Sequence, residues 1–474
     1  MTLGIDTQLS GQLPARSTGM PRLRWRLLLA FALFAVGLPW AGYGRAHLSY
    51  DAEQYWELFA RFSVDGHFSL LNYNDAQRGY AGPLALLPAH ALVRLTRWPA
   101  LVCTGLWGAG WAAVLCGWLL PTGWRQAGGG ELGRRRWAVL LALVWVFWRG
   151  YFYFPLLDAA TVVLFGTGLV LLWERRPWQW AAAGLALGLA VNMRPSYLVS
   201  LPVALFIAYR LANNPCLRAA ASRLGSHGRL LALAGGMALA LAPQLLINAR
   251  YFGSYTPLVL FRDPADARPV YLRALGWGTR VERYETGFFP GGHRTLLVPD
   301  SAGIRQMQPF GPRGFAGYGQ YAQFVAHHPV SVAGRYVRHL AHTFDLWYAT
   351  PYPLARHWPG QWPFRLLNYA VLGLGLLGLW RLPGRGNATS RLVLLALGLQ
   401  VLLTVPFHVE TRYGMPVHLV LLLGAAGGRL WAGPWPARRV AQWALLAGLW
   451  LGGWAWQAQR QERVAVYDPP GLET

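Results

Sequence analysis

Charged residues are scarce in this chain of 474 residues: they make up 13% of it, whereas 54% of the residues are hydrophobic. Soluble domains carry about 25% charged residues. The scarcity excludes an ordinary soluble protein, because too few polar side chains are present to cover its surface. The sequence therefore predicts an α-helical protein that crosses a membrane several times.

Lysine is absent, and cysteine occurs only three times. Cys103 and Cys116 fall within one apolar run and Cys216 in a basic segment, so no disulfide framework or cysteine-based metal motif is predicted. All 43 basic residues are arginine and give a net charge of +24. They lie between apolar runs rather than on a polar domain, which argues against nucleic-acid binding and favours anchoring at a membrane surface.

About eleven apolar runs have roughly the length of a membrane span. They are Leu27–Tyr43, Pro99–Leu120, Trp137–Trp148, Asp158–Trp173, Trp178–Val191, Tyr197–Tyr209, Leu230–Ile247, Leu366–Trp380, Leu392–Phe407, Met415–Trp431 and Val440–Trp456. No small-residue cleavage pattern follows the first run, so we expect it to remain as an uncleaved signal anchor. Arginine-rich connections alternate along the chain, and the positive-inside rule places the N-terminus in the cytoplasm.

This topology predicts a cytoplasmic tail (residues 1–26), a transmembrane domain (27–457) and a C-terminal tail outside the cytoplasm (458–474). Two long segments of the domain fall outside: the first outer segment, residues 44–98, and the large outer segment, residues 249–363. Of the 19 acidic residues, this topology places only Asp6, Glu131 and Glu174 on the cytoplasmic side.

The first outer segment contains a helical repeat of apolar side chains. The repeating residues are Ala52, Tyr55, Trp56, Phe59 and Phe62, and Pro83 to Leu95 forms a second candidate helix. Such a pattern predicts helices that lie in the membrane interface.

Carboxylates stand at the outer ends of two runs: Asp51 and Glu53 follow the first run, and Asp158 opens the fourth. Helix capping explains both positions structurally, with Gln54 completing a capping box after Asp51. A base that takes a proton from an attacking hydroxyl is the functional alternative. Spacing alone favours capping for Asp51 and leaves the two interpretations of Asp158 equal.

Three further motifs place polar groups between apolar runs. Arg194 lies in a tight break between two short runs, where it either anchors at the interface or holds a lipid phosphate. The turn from His408 through Glu410 and Arg412 to Tyr413 carries more ionisable groups than a turn requires, which favours a function. Asn248, after the seventh run, is a weaker candidate of the same kind.

Taken in order, these motifs resemble those of integral-membrane glycosyltransferases of the GT-C type, near the branch of protein O-mannosyltransferases and lipid A aminoarabinose transferases. The resemblance extends from Leu27 to about Trp431. It rests on Asp51-Ala52-Glu53 with Tyr55 and Gly79–Leu84, on the segment ending at Asp158, on Gly184–Ser196, on Pro243–Pro257 and on Glu410–Pro416. The chain departs from many relatives in having Ala52 between the two acids, and Tyr80-Ala81-Gly82-Pro83 where they carry a His-Pro-Pro run.

The resemblance implies an all-α GT-C fold with about eleven transmembrane helices and interfacial helices in the first outer segment. It also implies that a sugar moves, with inversion, from a polyprenyl-phosphate donor to a hydroxyl of a lipid, glycan or protein. The setting it implies is a bilayer, as in a bacterial inner membrane with the active site facing the periplasm, and no nucleic acid is involved.

A phosphate leaving group needs no strong general acid, so this reaction requires one carboxylate base and cations for the departing charge. The predicted catalytic residues are Asp51 as the base, with Glu53 and Asp158. The predicted donor-phosphate ligands are Arg194, His408 and Arg412, and the predicted substrate contacts are Tyr55, Glu410, Tyr413 and Asn248. A divalent cation held by the three catalytic carboxylates is an open alternative, although no distinctive metal motif is present.

Two other classes of protein stay open on the sequence. A transporter or flippase would also be polytopic, but it would carry ionisable groups at the membrane midplane rather than at the outer ends of spans. A membrane scaffold without catalysis would keep its role when Asp51 is replaced by asparagine, which distinguishes it from an enzyme.

Overall fold

The computed structural model of the protein describes residues 20–38, 48–214, 225–263, 267–289, 292–353, 360–380, 382, 388–428 and 465–467. The first group of helices is α1 (Met20–Val36), α2 (Asp51–Leu58), α3 (Ala81–Leu84), α4 (Leu87–Thr96), α5 (Ala100–Gln126), α6 (Arg134–Tyr153), α7 (Leu157–Leu171), α8 (Pro177–Met193) and α9 (Pro195–Ala212). The second group is α10 (Gly225–Phe252), α11 (Val270–Arg280), α12 (Ser301–Met307), α13 (Tyr318–His327), α14 (Pro329–Phe344), α15 (Gln361–Trp380), α16 (Ala388–Thr404) and α17 (Met415–Gly427).

Two helices contain irregular turns: α5 has a π-helical turn at Leu115–Leu119, and α9 opens with 3-10 turns at Pro195–Ser200. Separate 3-10 turns are Phe59–Phe62, Leu70–Asn72, Gln308–Phe310 and Thr411–Gly414.

Several helices have the length and apolar composition of membrane spans. Among the described residues, α5, α9, α10 and α15 meet both criteria, and α6 with α7 meets them as a pair bent by 118°. Each predicted apolar run as far as Met415–Trp431 overlaps a helix, whereas Val440–Trp456 lies outside the described residues. A helical protein with membrane-length apolar helices is therefore confirmed, and the number of eleven spans stays a prediction.

Sheet structure, which the all-α expectation did not include, occurs in both outer segments. Strands β1 (Ser63–Val64) and β2 (His67–Phe68) form a short hairpin. In the large outer segment β3 (Val281–Phe289) pairs antiparallel with β4 (Gly292–Pro299), which in turn pairs with β5 (Ala465–Tyr467). The last pairing places the C-terminal residues 465–467 beside the large outer segment.

Strand β3 has no apolar alternation because its buried face carries charge. Val281, Arg283 and Glu285 are buried, whereas Glu282 and Tyr284 are partly exposed. The Arg283 guanidinium lies 3.1 Å from the Glu285 carboxylate, so the two buried charges compensate each other. A period-two pattern of hydrophobicity cannot reveal such a strand.

Helices α8 and α10 approach so closely that glycine is required where they cross. A Cβ on Gly184 would lie 1.9 Å from the carbonyl oxygen of Leu233, and a Cβ on Gly236 would lie 1.9 Å from that of Ala181. Small residues permit this kind of approach between membrane helices. The crossing fixes α8, whose C-terminal end carries Arg194.

Replacing Gly236 by alanine should lower the stability of the protein by about 1–3 kcal/mol, because the added methyl group overlaps the main chain of α8. The measurement is the apparent melting temperature of the purified protein in detergent. Gly235→Ala is the matched control, since a Cβ at Gly235 meets nothing within 4 Å. Equal melting temperatures for the two variants would contradict the close crossing.

Candidate active site

The ends of helices that are far apart in sequence converge on one charged cluster. Asp51 begins α2, Asp158 lies in the first turn of α7, and Arg194 lies between α8 and α9. Arg412 lies in the 3-10 turn before α17. These helix ends bring together residues separated by as many as 361 positions.

Acidic and basic side chains alternate through the cluster. Arg78 Nη2 lies 3.0 Å from Asp51 Oδ1, and Arg412 Nη2 donates to Asp51 Oδ2 at 2.6 Å. Arg412 Nη1 lies 3.8 Å from Asp158 Oδ2, which also accepts a hydrogen bond from Arg194 Nη2. Arg412 therefore joins two of the three carboxylates that the sequence predicts as catalytic.

Glu410 adds a third carboxylate to Arg412. The Arg412 Nε atom lies 2.6 Å from Glu410 Oε2, and the Tyr413 hydroxyl donates to Glu410 Oε1 at 2.9 Å. His408 Nε2 lies 3.5 Å from the same oxygen. The polar turn that the sequence singled out is thus one connected unit around Arg412.

The arginines keep the carboxylates of this cluster ionised. Burial by itself would raise the pKa of the Asp51 carboxyl, but Arg412 and Arg78 hold that pKa well below its usual range. Burial opposes ionisation of Glu410 in the same way, and Arg412 with His408 lowers the pKa of its carboxyl. Both groups are therefore proton-free at neutral pH.

Strand β3 fixes the position of the turn that carries Arg412. The Tyr284 amide donates to the Val409 carbonyl at 2.9 Å, and the Thr411 amide donates to the Glu285 carboxylate at 3.1 Å. Arg283 Nη2 donates to the Thr411 hydroxyl at 2.8 Å. Burial raises the pKa of the Glu285 carboxyl, and the contacts with Arg283 and Thr411 partly offset this effect.

The capping interpretation of Asp51 is wrong. The N-cap residue of α2 is Tyr50, at φ 54°, and no side chain caps the helix. Gln54 does not complete a capping box, since its Oε1 atom accepts from Arg78 Nη2 at 2.7 Å. Tyr50 has a positive φ, and its ring stacks on that of Tyr352 with centroids 5.6 Å apart. Asp51 binds arginines and does not cap its own helix.

Asp158 does not cap α7 either, because the N-cap of that helix is Leu156, with no side-chain cap. Its buried carboxylate is satisfied by the two arginines described above. Helix capping therefore does not explain Asp158. An active-site role for its carboxylate stays a prediction.

A cavity of about 640 Å³ opens beside the cluster. Asp51, Glu410, Arg412 and His408 line it together with parts of the large outer segment. The volume falls within the range of about 300–1,000 Å³ typical of small-molecule sites.

Asp158, Arg194 and Tyr413 belong to the charged cluster but not to the lining of this cavity. Three other predicted site residues lie outside both. Glu53 is exposed on α2. Tyr55 is buried, and its ring lies 4.2 Å below the guanidinium of Arg78, so it supports the arginine that binds Asp51. The third is Asn248, which is fully buried.

Asn248 has a structural role that accounts for its side chain. Its Nδ2 atom donates to the carbonyl oxygens of Thr256 and Leu258 at 2.8 Å, and its Oδ1 atom accepts from Gln244 at 2.9 Å. Gln244 in turn accepts from Asn192 at 3.0 Å. The predicted substrate contact is thus an internal support for the loop after α10.

Sequence reasoning missed Arg78, Arg283 and Glu285, although the cluster depends on them. Arg78 directly precedes the segment Gly79–Leu84, but nothing in the local pattern points it at Asp51. Arg283 and Glu285 belong to a strand without apolar alternation. Only the pairing of β3 with the turn near Val409 reveals their role.

No described group of three or more His, Cys, Asp or Glu side chains is arranged to hold a metal ion. Asp51, Glu53 and Asp158 therefore do not form the ligand set that the sequence left open. Arginines occupy the space around Asp51 and Asp158 instead.

No family model, curated protein or solved structure matches this chain. Its site is therefore interpreted from its own geometry and chemistry.

Replacing Arg412 by glutamine should destabilise the protein at neutral pH by about 3–5 kcal/mol, because three buried or partly buried carboxylates lose their shared cation. In the wild type the pKa values of Asp51 and Glu410 are depressed. Their stabilising effect is therefore present above the unfolded pKa of about 4 and is lost as the pH falls through the folded values. In the variant only Arg78 and His408 oppose the effect of burial on Asp51 and Glu410. Both pKa values should therefore be higher than in the wild type, and less stability should be lost as the pH falls from about 5 to about 3.

Melting temperatures of the wild type and the variant, measured in detergent at these two pH values, test this difference. Arg305→Gln is the control, because Arg305 is exposed on α12. If Arg412→Gln showed the pH dependence of the wild type, Arg412 would not be the cation that keeps these carboxylates ionised.

Proposed function

We propose that the protein is a membrane glycosyltransferase that moves a sugar from a polyprenyl-phosphate donor to an acceptor hydroxyl, with inversion at the anomeric carbon. One observation carries the proposal: Asp51, a proton-free carboxylate, and Arg412, a cation able to bind phosphate, touch each other at the wall of one cavity. The reaction requires this pair of groups.

Two buried nitrogen atoms support a phosphate site next to this pair. Arg194 Nε and His408 Nδ1 make no hydrogen bond within the described part of the chain. Buried polar atoms are normally satisfied, and a phosphate oxygen is a strong acceptor for both nitrogens. These are two of the residues for which the sequence predicted contact with the donor phosphate.

An apolar cavity next to Arg194 supports a prenyl-bearing donor. It has a volume of about 350 Å³ and is lined by Val191, Pro195, Leu198 and Leu241 among others. These residues lie on both sides of Arg194 in sequence or on the adjoining α10. A phosphate at Arg194 would leave the first isoprene units in this cavity.

The chemical step is a single displacement. The acceptor oxygen forms a bond to the anomeric carbon while the bond from that carbon to the phosphate oxygen breaks, and the electron pair leaves with the polyprenyl phosphate. The hydroxyl proton passes to Asp51. When the donor phosphate draws Arg412 away from Asp51, the carboxylate becomes more basic, so donor binding activates the base. Asp158 orients Arg194 and Arg412, the two arginines that contact its carboxylate.

We place the reaction on the extracytoplasmic face of a bacterial inner membrane, toward the periplasm. The supporting observation is that Asp51, Asp158 and Arg412 lie at those ends of their helices that the arginine distribution assigns to the outer side.

Asp51→Asn and Asp158→Asn should each lower sugar transfer, Asp51→Asn by about 100-fold or more, because it removes the general base. The assay uses purified protein, polyprenyl phosphate carrying labelled glucose or mannose, and lipids and glycans extracted from the cell envelope. Mass spectrometry of the envelope with and without the gene identifies the natural product. The anomeric configuration of the product tests inversion.

Glu57→Gln is the matched control, since Glu57 is exposed on the same helix as Asp51. Melting temperatures establish that each variant is folded. Transfer at the wild-type rate by folded Asp51→Asn and Asp158→Asn proteins would rule out the proposed catalysis.

A further inference from the structure

The cavity beside Asp51 has a second charged wall, formed by Arg268, by α11 and by the loop at residues 311–314. Four arginines line this wall: Arg268, Arg273, Arg280 and Arg313. We call these four residues the arginine rim. None of them pairs with the carboxylates of the active-site cluster, whose ion pairs are made by other arginines among the described residues.

Helix α11 presents one face to the cavity. Arg273, Trp277 and Arg280 recur at helical spacing in the cavity lining. Leu272 and Leu275, on the other face, are buried in an apolar cluster. Two cations therefore flank Trp277 on the side of α11 that a bound molecule would meet.

Part of the positive charge of the rim has no anion beside it. Arg280 donates hydrogen bonds to the carbonyl oxygens of Gly311 at 2.5 Å and Pro312 at 3.1 Å, and it pairs with no carboxylate among the described residues. Burial lowers the pKa of its guanidinium, because the cation is partly desolvated. Arg313 is exposed and likewise makes no ion pair within the described ranges. Arg273, by contrast, is paired with Asp263.

Aromatic rings connect the rim to the active-site cluster. The Trp277 ring centroid lies 5.8 Å from that of Tyr284 and 6.0 Å from that of His408. His408 in turn contacts Glu410. Flat aromatic faces beside polar groups suit a sugar ring, which has an apolar face and a polar edge. The cavity thus offers a carboxylate base, an aromatic surface and then a cationic rim.

We propose that the arginine rim binds an oxyanion of the acceptor, so that the acceptor is a sugar-containing molecule bearing phosphate or carboxylate. This inference rests on the proposed function, in which the acceptor hydroxyl lies at Asp51. In the proposed reaction the donor phosphate binds at Arg412, so an oxyanion held by the arginine rim belongs to the other reactant. Guanidinium groups bind phosphate and carboxylate through paired hydrogen bonds.

The test measures binding of defined probes to the purified full-length protein through their effect on its melting temperature. The probes are glucose 6-phosphate, glucuronate, methyl glucoside and inorganic phosphate. At least one anionic sugar should bind more tightly than methyl glucoside. Arg280→Gln combined with Arg313→Gln should weaken anionic-sugar binding about tenfold and leave methyl glucoside unchanged, because a hydrogen bond to a charged group is lost.

Arg250→Gln combined with Arg305→Gln is the matched control. Both arginines are exposed and lie outside the cavity lining, and the two substitutions remove the same charge as those in the rim. The control should bind every probe as the wild type does. Stronger binding of glucose 6-phosphate or of glucuronate identifies the oxyanion, and either result supports the proposal.

Undiminished binding of both anionic sugars by the rim variant would overturn the proposal. Inorganic phosphate binding as tightly as glucose 6-phosphate would also overturn it, since the site would then recognise phosphate without a sugar. Failure of the proposed function looks different: anionic sugars bind in a rim-dependent way, but the wild type transfers no sugar. In that case the arginine rim is an anion-binding site, but it does not bind an acceptor for sugar transfer.

Discussion

The contact of Arg412 with three carboxylates is the interaction on which the rest of the site depends. Its guanidinium reaches Asp51 at 2.6 Å, Glu410 at 2.6 Å and Asp158 at 3.8 Å. These side chains come from the first outer segment, the turn before α17 and the start of α7. One cation therefore ties the first outer segment to the ends of α7 and α17. Carboxylates gathered this closely would repel one another without it.

A second, fully buried pair explains how Arg412 is held in place. Arg283 and Glu285 on β3 form hydrogen bonds with Thr411, the residue next to Arg412. Buried ion pairs contribute little net stability, but breaking one is costly, so such a pair fixes a geometry more than it strengthens a fold. The hairpin of the large outer segment thus serves as the support for an active-site residue on a different segment.

Most of the helices and several members of the cluster could be predicted from the sequence. Apolar runs locate helices because the bilayer demands long apolar segments, and Asp51, Asp158, Arg194 and the turn at residues 408–413 stood out as polar groups where apolar residues are expected. The strands could not be predicted, because the buried face of β3 is charged. In sequence, a buried amide that supports a loop, as that of Asn248 does, looks like one that binds a ligand.

The most direct test of this account is a double-mutant cycle between Asp51 and Arg412. The apparent free energy of unfolding in detergent is measured for the wild type, Asp51→Asn, Arg412→Gln and the double variant. If Arg412 is the shared cation, the two substitutions are not additive, and the coupling energy lies between about 0.5 and about 3 kcal/mol. Additive effects, with a coupling energy near zero, would contradict the ion pair at the centre of the site.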